Sequence, residues 1–232
     1  MTIAIGPMGR PALLVVLASV AALCCGGGPA AAQDRTLSPT SCVSLGLGYG
    51  SLLEINHLLV PMAADLPGGP DGHLGEVADG AAKLAADLKA YQGVDYAKAI
   101  ADLTIIHDDI ATNHSKNSAK YAQFLSNIFV TLIKTPSTAE MKDCGWYEDV
   151  GLWVGALSTD IDIKRPDDAL TRVGPIAELA GMPPPSASPR LLQELAKITR
   201  YAKAASLSAG DQSAISRSVE VIGIGIWDGS KN

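Results

Sequence analysis

Aromatic side chains are scarce, with two Phe, six Tyr and three Trp among 232 residues. A core with so few rings must be built mostly from Leu, Ile, Val and Ala. Basic residues are also few, 18 Lys and Arg against 24 Asp and Glu. The Lys/Arg surplus that neutralises nucleic-acid phosphates or anionic lipid is missing, which excludes nucleic acid as a partner. No charge block, solenoid-period repeat or long heptad array occurs. The longest apolar run, residues 12–25, has 14 residues, whereas a spanning helix needs about 20. No stable membrane span is therefore expected in the mature chain. Motif chemistry is thin as well. Gly46-Leu47-Gly48-Tyr49-Gly50 follows no strand and lacks the Gly-Lys-Ser/Thr ending of a phosphate loop. Neither a Gly-x-Ser-x-Gly elbow nor a Cys-x-x-Cys-His haem site is present.

What is present begins with a leader. Arg10, the apolar run from Ala12 to Cys25 and the small-residue exit Ala30-Ala31-Ala32 form the pattern of a signal peptide over residues 1–32, cleaved before Gln33. This places the protein outside the cytoplasm, in a periplasm or an extracellular space. A lipoprotein is the weaker reading, because Leu23 precedes Cys24 and Cys24 precedes Cys25 where a small residue would be needed. Residues 33–232 then form one domain with 17 basic residues against 24 acidic ones. At 47% hydrophobic and 18% charged, the chain is globular rather than disordered. Two cysteines remain in it, Cys42 and Cys144, and in an oxidising compartment they should pair. Neither has a His within ten residues, so a catalytic thiol is disfavoured.

Helical periodicity dominates the mature chain, which predicts an all-α, disulfide-stapled bundle of six or seven helices. Leu45, Gly48, Leu52, Ile55, Leu59 and Met62 mark a narrow seam on a helix from Cys42 to about Ala64. The Pro- and Gly-rich stretch from Leu66 to Gly72 is a loop, followed by an amphipathic helix over 74–91. A long segment from Asp95 to Lys134 has a weak point at 113–118 and forms two helices or one kinked one. Ser137-Thr138-Ala139-Glu140 is a capping box opening a helix to about Ile161. A shorter helix runs over 166–181, a Pro-rich linker over 182–189, and two final helices over 189–207 and 208–227. Residues 219–226 are β-branched with two glycines and would suit a strand as well, but no second run exists to pair with one.

Three groups of residues could carry function. Glu54 and His57 stand three apart on the first helix, half of the motif that di-iron bundles use twice, and His107 lies on the apolar seam of the long segment, as does His114. No second Glu is followed three residues later by His, so a metal site at Glu54, His57 and His107 is the alternative reading. Trp146, Tyr147 and Trp153 concentrate aromatic surface on one helix and form the candidate binding face. Gly151 and Gly155 on that helix match Gly46 and Gly50 on the first, two small-residue ridges that allow close packing beside the disulfide. The acid pairs Asp108-Asp109 and Asp160-Ile161-Asp162 read as solvated faces. No cofactor is implied. The expectation is an exported, non-enzymatic protein that binds another protein or a small apolar ligand; the alternative is a metal- or cofactor-binding enzyme with a His/Glu site across the bundle.

Overall fold

The computed structural model describes residues 38–91, 94–133 and 143–225. Every element among them is helical. The expected leader, the capping box at 137–140 and Trp227 lie outside the described residues. The longer helices are α1 (Pro39–His57), α2 (Leu74–Ala90), α3 (Ala97–Ala111), α4 (Ser118–Ile133), α5 (Cys144–Asp162), α6 (Pro166–Gly181), α7 (Pro189–Thr199) and α8 (Ala209–Gly223). A 3-10 turn (Pro61–Asp65) and a four-residue helix (Gly69–Gly72) connect α1 to α2. The described residues thus hold more helices than the six or seven expected. The long segment divides completely, since α3 stops at Ala111 and His114 takes a left-handed φ of 50°. The stretch expected as a plain loop contains one helical turn at Gly69–Gly72, entered through Gly68 at φ 90°.

Local chemistry sets most boundaries. Proline occupies the first turn of α1, α6 and α7, where its missing N–H is not needed. Ser38 caps α1 by accepting from the Ser41 amide at 3.1 Å, and a Ser208–Asp211 capping box starts α8. Asp95 accepts from the Ala97 amide at 3.0 Å as α3 begins. Helix α1 ends at His57 rather than near Ala64, because Pro61 has no N–H with which to reach the His57 carbonyl. Residues 219–223 are helical, and Gly223 makes room for a ring: a methyl there would come 2.7 Å from Cε1 of Tyr91.

Helix α1 is the axis of the molecule. Its residues from Thr40 to Gly48 are all buried, so the narrow seam read from the sequence is instead burial on every side. Its first half joins one apolar cluster with α5, α6, α7 and α8, through Leu45, Leu47, Val154, Val173, Leu195 and Ile222. Its second half joins another with α2, α3 and α4, through Leu52, Ile55, Leu84, Leu103, Ile106 and Ile128. Helices α1 and α5 run parallel in close register. Methyls on Gly46 and Gly50 would overlap the carbonyl oxygens of Glu148 and Leu152, and methyls on Gly151 and Gly155 would overlap those of Val43 and Leu47. Ser51 donates to the Gly155 carbonyl at 3.3 Å. The Cys42–Cys144 disulfide closes the same pair near its N-terminal end, with Cα atoms 5.6 Å apart. For a loop of this length the chain-entropy model gives about 4 to 5 kcal/mol of stabilisation.

Candidate functional site

The aromatic helix face is largely consumed by packing. Tyr147 is buried, and its hydroxyl donates to the Ser186 carbonyl at 2.9 Å. The Trp146 indole N–H donates to the Leu179 carbonyl at 3.1 Å and its ring stands edge-on to Tyr147. Trp153 is half-buried against the same apolar cluster. Tyr147 is therefore a core residue tying α5 to the Pro-rich linker, which corrects its expected place on an exposed binding face. A periodicity count cannot see a linker folding back over a helix.

The metal candidates form no set of three. Among the described residues no three His, Cys, Asp or Glu side chains are grouped for an ion. Glu54 faces Arg172 on α6 at 2.9 Å, with His57 at 3.9 Å on its own helix. His107 donates from Nδ1 to the Ala78 carbonyl at 3.1 Å. His114 is exposed in the α3–α4 connection, not on a buried seam.

Two polar clusters were not legible as such. In the first, the Arg172 guanidinium bridges Asp160 on α5 (Nε to Oδ2, 3.0 Å) and Glu54 on α1 (Nη2 to Oε2, 2.9 Å). Asp160 is 1% exposed, so the solvated face expected at 160–162 is wrong for this residue. Burial, with the Glu54 charge beside it, pushes the Asp160 carboxyl up to about 7, against the pull of Arg172. The folded state thus holds a proton on Asp160 that the unfolded chain has released between about pH 4 and pH 7. Stability from this group falls as pH rises through that window. Urea midpoints should be higher at pH 5 than at pH 8, and Asp160→Asn should flatten the difference; an equal slope in the variant would remove Asp160 as its source. In the second cluster Arg165 links Glu76 (2.9 Å) and His73 (3.2 Å). The other ring nitrogen of His73, Nε2, is buried without a partner among the described residues.

A further feature among the described residues is a cleft of about 330 Å³ between the C-terminal halves of three helices. Lys83 and Asp87 come from the C-terminal half of α2 and Tyr91 from its cap, Ser158 and Asp162 from the end of α5, Ser216 and Arg217 from the middle of α8, and Glu220 from its last turn. Lys83 donates to both oxygens of Asp87, at 2.7 and 2.9 Å, and lies 3.7 Å from Asp162. Burial disfavours the Lys83 ammonium, but Asp87 and Asp162 outweigh it and hold the pKa above its ordinary value. Burial pushes the Asp162 carboxyl up, an effect that Lys83 only partly offsets. The Tyr91 phenol is raised well above its usual range, chiefly by burial, and so remains a neutral O–H. Neither Tyr91 nor Ser158 makes a side-chain hydrogen bond among the described residues, although Ser158 is only 9% exposed. Sequence inspection missed this cleft because its residues come from three stretches spread over more than 130 positions. No protein-family model, curated protein or solved structure matches the chain.

Proposed function

We propose that the chain is an exported, disulfide-stapled binding protein that works without catalysis, and that its ligand is a small polar molecule seated in the cleft between α2, α5 and α8. Export is supported by the leader pattern over residues 1–32 and by the Cys42–Cys144 bond, which persists in an oxidising compartment. The observation that carries the binding reading is the pair of uncommitted hydroxyls, Tyr91 and Ser158, on the wall of a cleft. Neither hydroxyl oxygen is sealed from solvent, so a ligand group can take the place of water on both. The cleft volume falls at the lower end of the range for small-molecule sites, roughly 300 to 1,000 Å³. Its charged lining favours a polar occupant over the apolar ligand expected from the Trp-bearing helix.

The test is native mass spectrometry of the protein exported from its own leader, followed by the same sample denatured without reductant. The expected result is a small-molecule mass excess in the native spectrum, a chain beginning at Gln33, and a mass two hydrogen atoms below that of the reduced chain. The Ser158→Val variant should lose the excess while retaining the helical spectrum. A chain retaining residues 1–32 would overturn export. An excess unchanged in Ser158→Val would overturn the cleft as its seat.

A further inference from the structure

We infer that the cleft is selective for organic cations, and that it takes a compact amine whose ammonium group docks against Asp162. This rests on the binding reading above and adds the charge of the ligand. Two observations independent of each other point the same way. The first is backbone electrostatics. The wall of the cleft includes the C-terminal turns of α2, α5 and α8, which end at Ala90, Asp162 and Gly223. The C-terminus of a helix carries the equivalent of roughly half a negative charge on its unpaired carbonyls. Three such ends converging on one hollow give it a negative potential before any side chain is counted.

The second is the pairing of the side chains. Three carboxylates, Asp87, Asp162 and Glu220, face two cations, Lys83 and Arg217. Lys83 is held close to Asp87, at 2.7 and 2.9 Å, and stands off from Asp162 at 3.7 Å. Asp162 is thus held more loosely than Asp87, while Glu220 makes no ion pair among the described residues; of these two acids, Asp162 stands on the wall that also carries Ser158. An ammonium brought beside it completes the pairing with charge-assisted hydrogen bonds. Ser158, one helical turn before Asp162 and nine-tenths buried, offers an unpartnered hydroxyl on the same wall. Its oxygen can accept a further ammonium proton.

Titration calorimetry of the full chain at neutral pH, with three probes sharing a four-carbon skeleton, tests the charge directly. These are 1,4-diaminobutane, 1,4-butanediol and succinate. Expected is measurable binding of the diamine, with the diol and the dianion at least tenfold weaker. Asp162→Asn should weaken the diamine at least tenfold and leave the diol unchanged, since Lys83 keeps Asp87 and the fold is undisturbed. If the diol or succinate binds as well as the diamine, the cation inference falls while the cleft stands as a binding site. If the diamine binds equally to Ser158→Val, binding lies elsewhere and the cleft reading itself falls. If none of the three binds, the cation inference is overturned.

Discussion

Gly50→Ala should cost about 3 kcal/mol of unfolding free energy, at the upper limit of what overpacking ordinarily costs. The added methyl would overlap the Leu152 carbonyl oxygen and lie 2.8 Å from the Ala156 nitrogen. Both are backbone atoms of α5, which cannot swing aside as a side-chain end can. Separating the helices would also disturb the reciprocal contacts of Gly46, Gly151 and Gly155, because all four glycines share one interface. The intrinsic preference of a helix for alanine over glycine, about 1 kcal/mol, works in the opposite direction and is outweighed. That preference appears alone at Gly75 in α2, which stands between Leu74 and Glu76 and has nothing within 4 Å of an added methyl. Gly75→Ala should raise stability by about 0.5 kcal/mol. Urea unfolding of both variants measures the contrast. A Gly50→Ala protein within about 0.5 kcal/mol of the parent, the usual scatter of neutral surface changes, would mean that α1 and α5 are not in contact at their backbones.

Arg172→Met should destabilise by about 3–5 kcal/mol, the usual cost of breaking a buried pair from one side. The substitution keeps an unbranched apolar stem, but leaves Glu54 and Asp160 facing each other without the guanidinium that bridges them. Without Arg172 the Asp160 carboxyl loses the charge that opposes its protonation. The penalty should therefore be largest at pH 8 and smaller at pH 5, where protonation relieves the repulsion. Adding Glu54→Gln and Asp160→Asn to Arg172→Met removes every charge from the cluster and should recover most of the loss. If the single variant were as stable as the parent at pH 8, Arg172 would not be bridging α1, α5 and α6 in solution.

The class of fold is written in local features. Pro166 and Pro189, the helix start at 208 and the Pro-rich stretch at 182–189 mark boundaries that the structure shares to within a few residues. The glycine ridges were also visible, as four small residues at helical spacing, and they pack as that spacing suggests. Burial of α1 was hidden because Ser, Thr and Gly carry little hydrophobic signal, while Thr40, Ser41, Ser44 and Gly46 are buried all the same. Asp160 looked solvated because its partners are set by tertiary structure: Arg172 lies across the turn between α5 and α6, and Glu54 lies more than a hundred residues away. The same cause hid the cleft, which has no motif and exists only where the C-terminal halves of three helices meet.

The parallel pairing of α1 with α5 also dictates the order in which the chain can assemble. Neighbours such as α2 with α3, or α6 with α7, find each other across short connections and can form on the microsecond scale of local contacts. Closing α1 on α5 brings together residues 102 apart, as at Cys42 and Cys144, and the entropy of so long a loop must be overcome before any contact rewards it. A chain emerging N-terminus first therefore exposes the first half of α1 until α5 has been delivered, while its second half can already pack on α2, α3 and α4. Oxidation of the cysteines can only follow that meeting, so the appearance of the disulfide reports when the axial helix becomes enclosed.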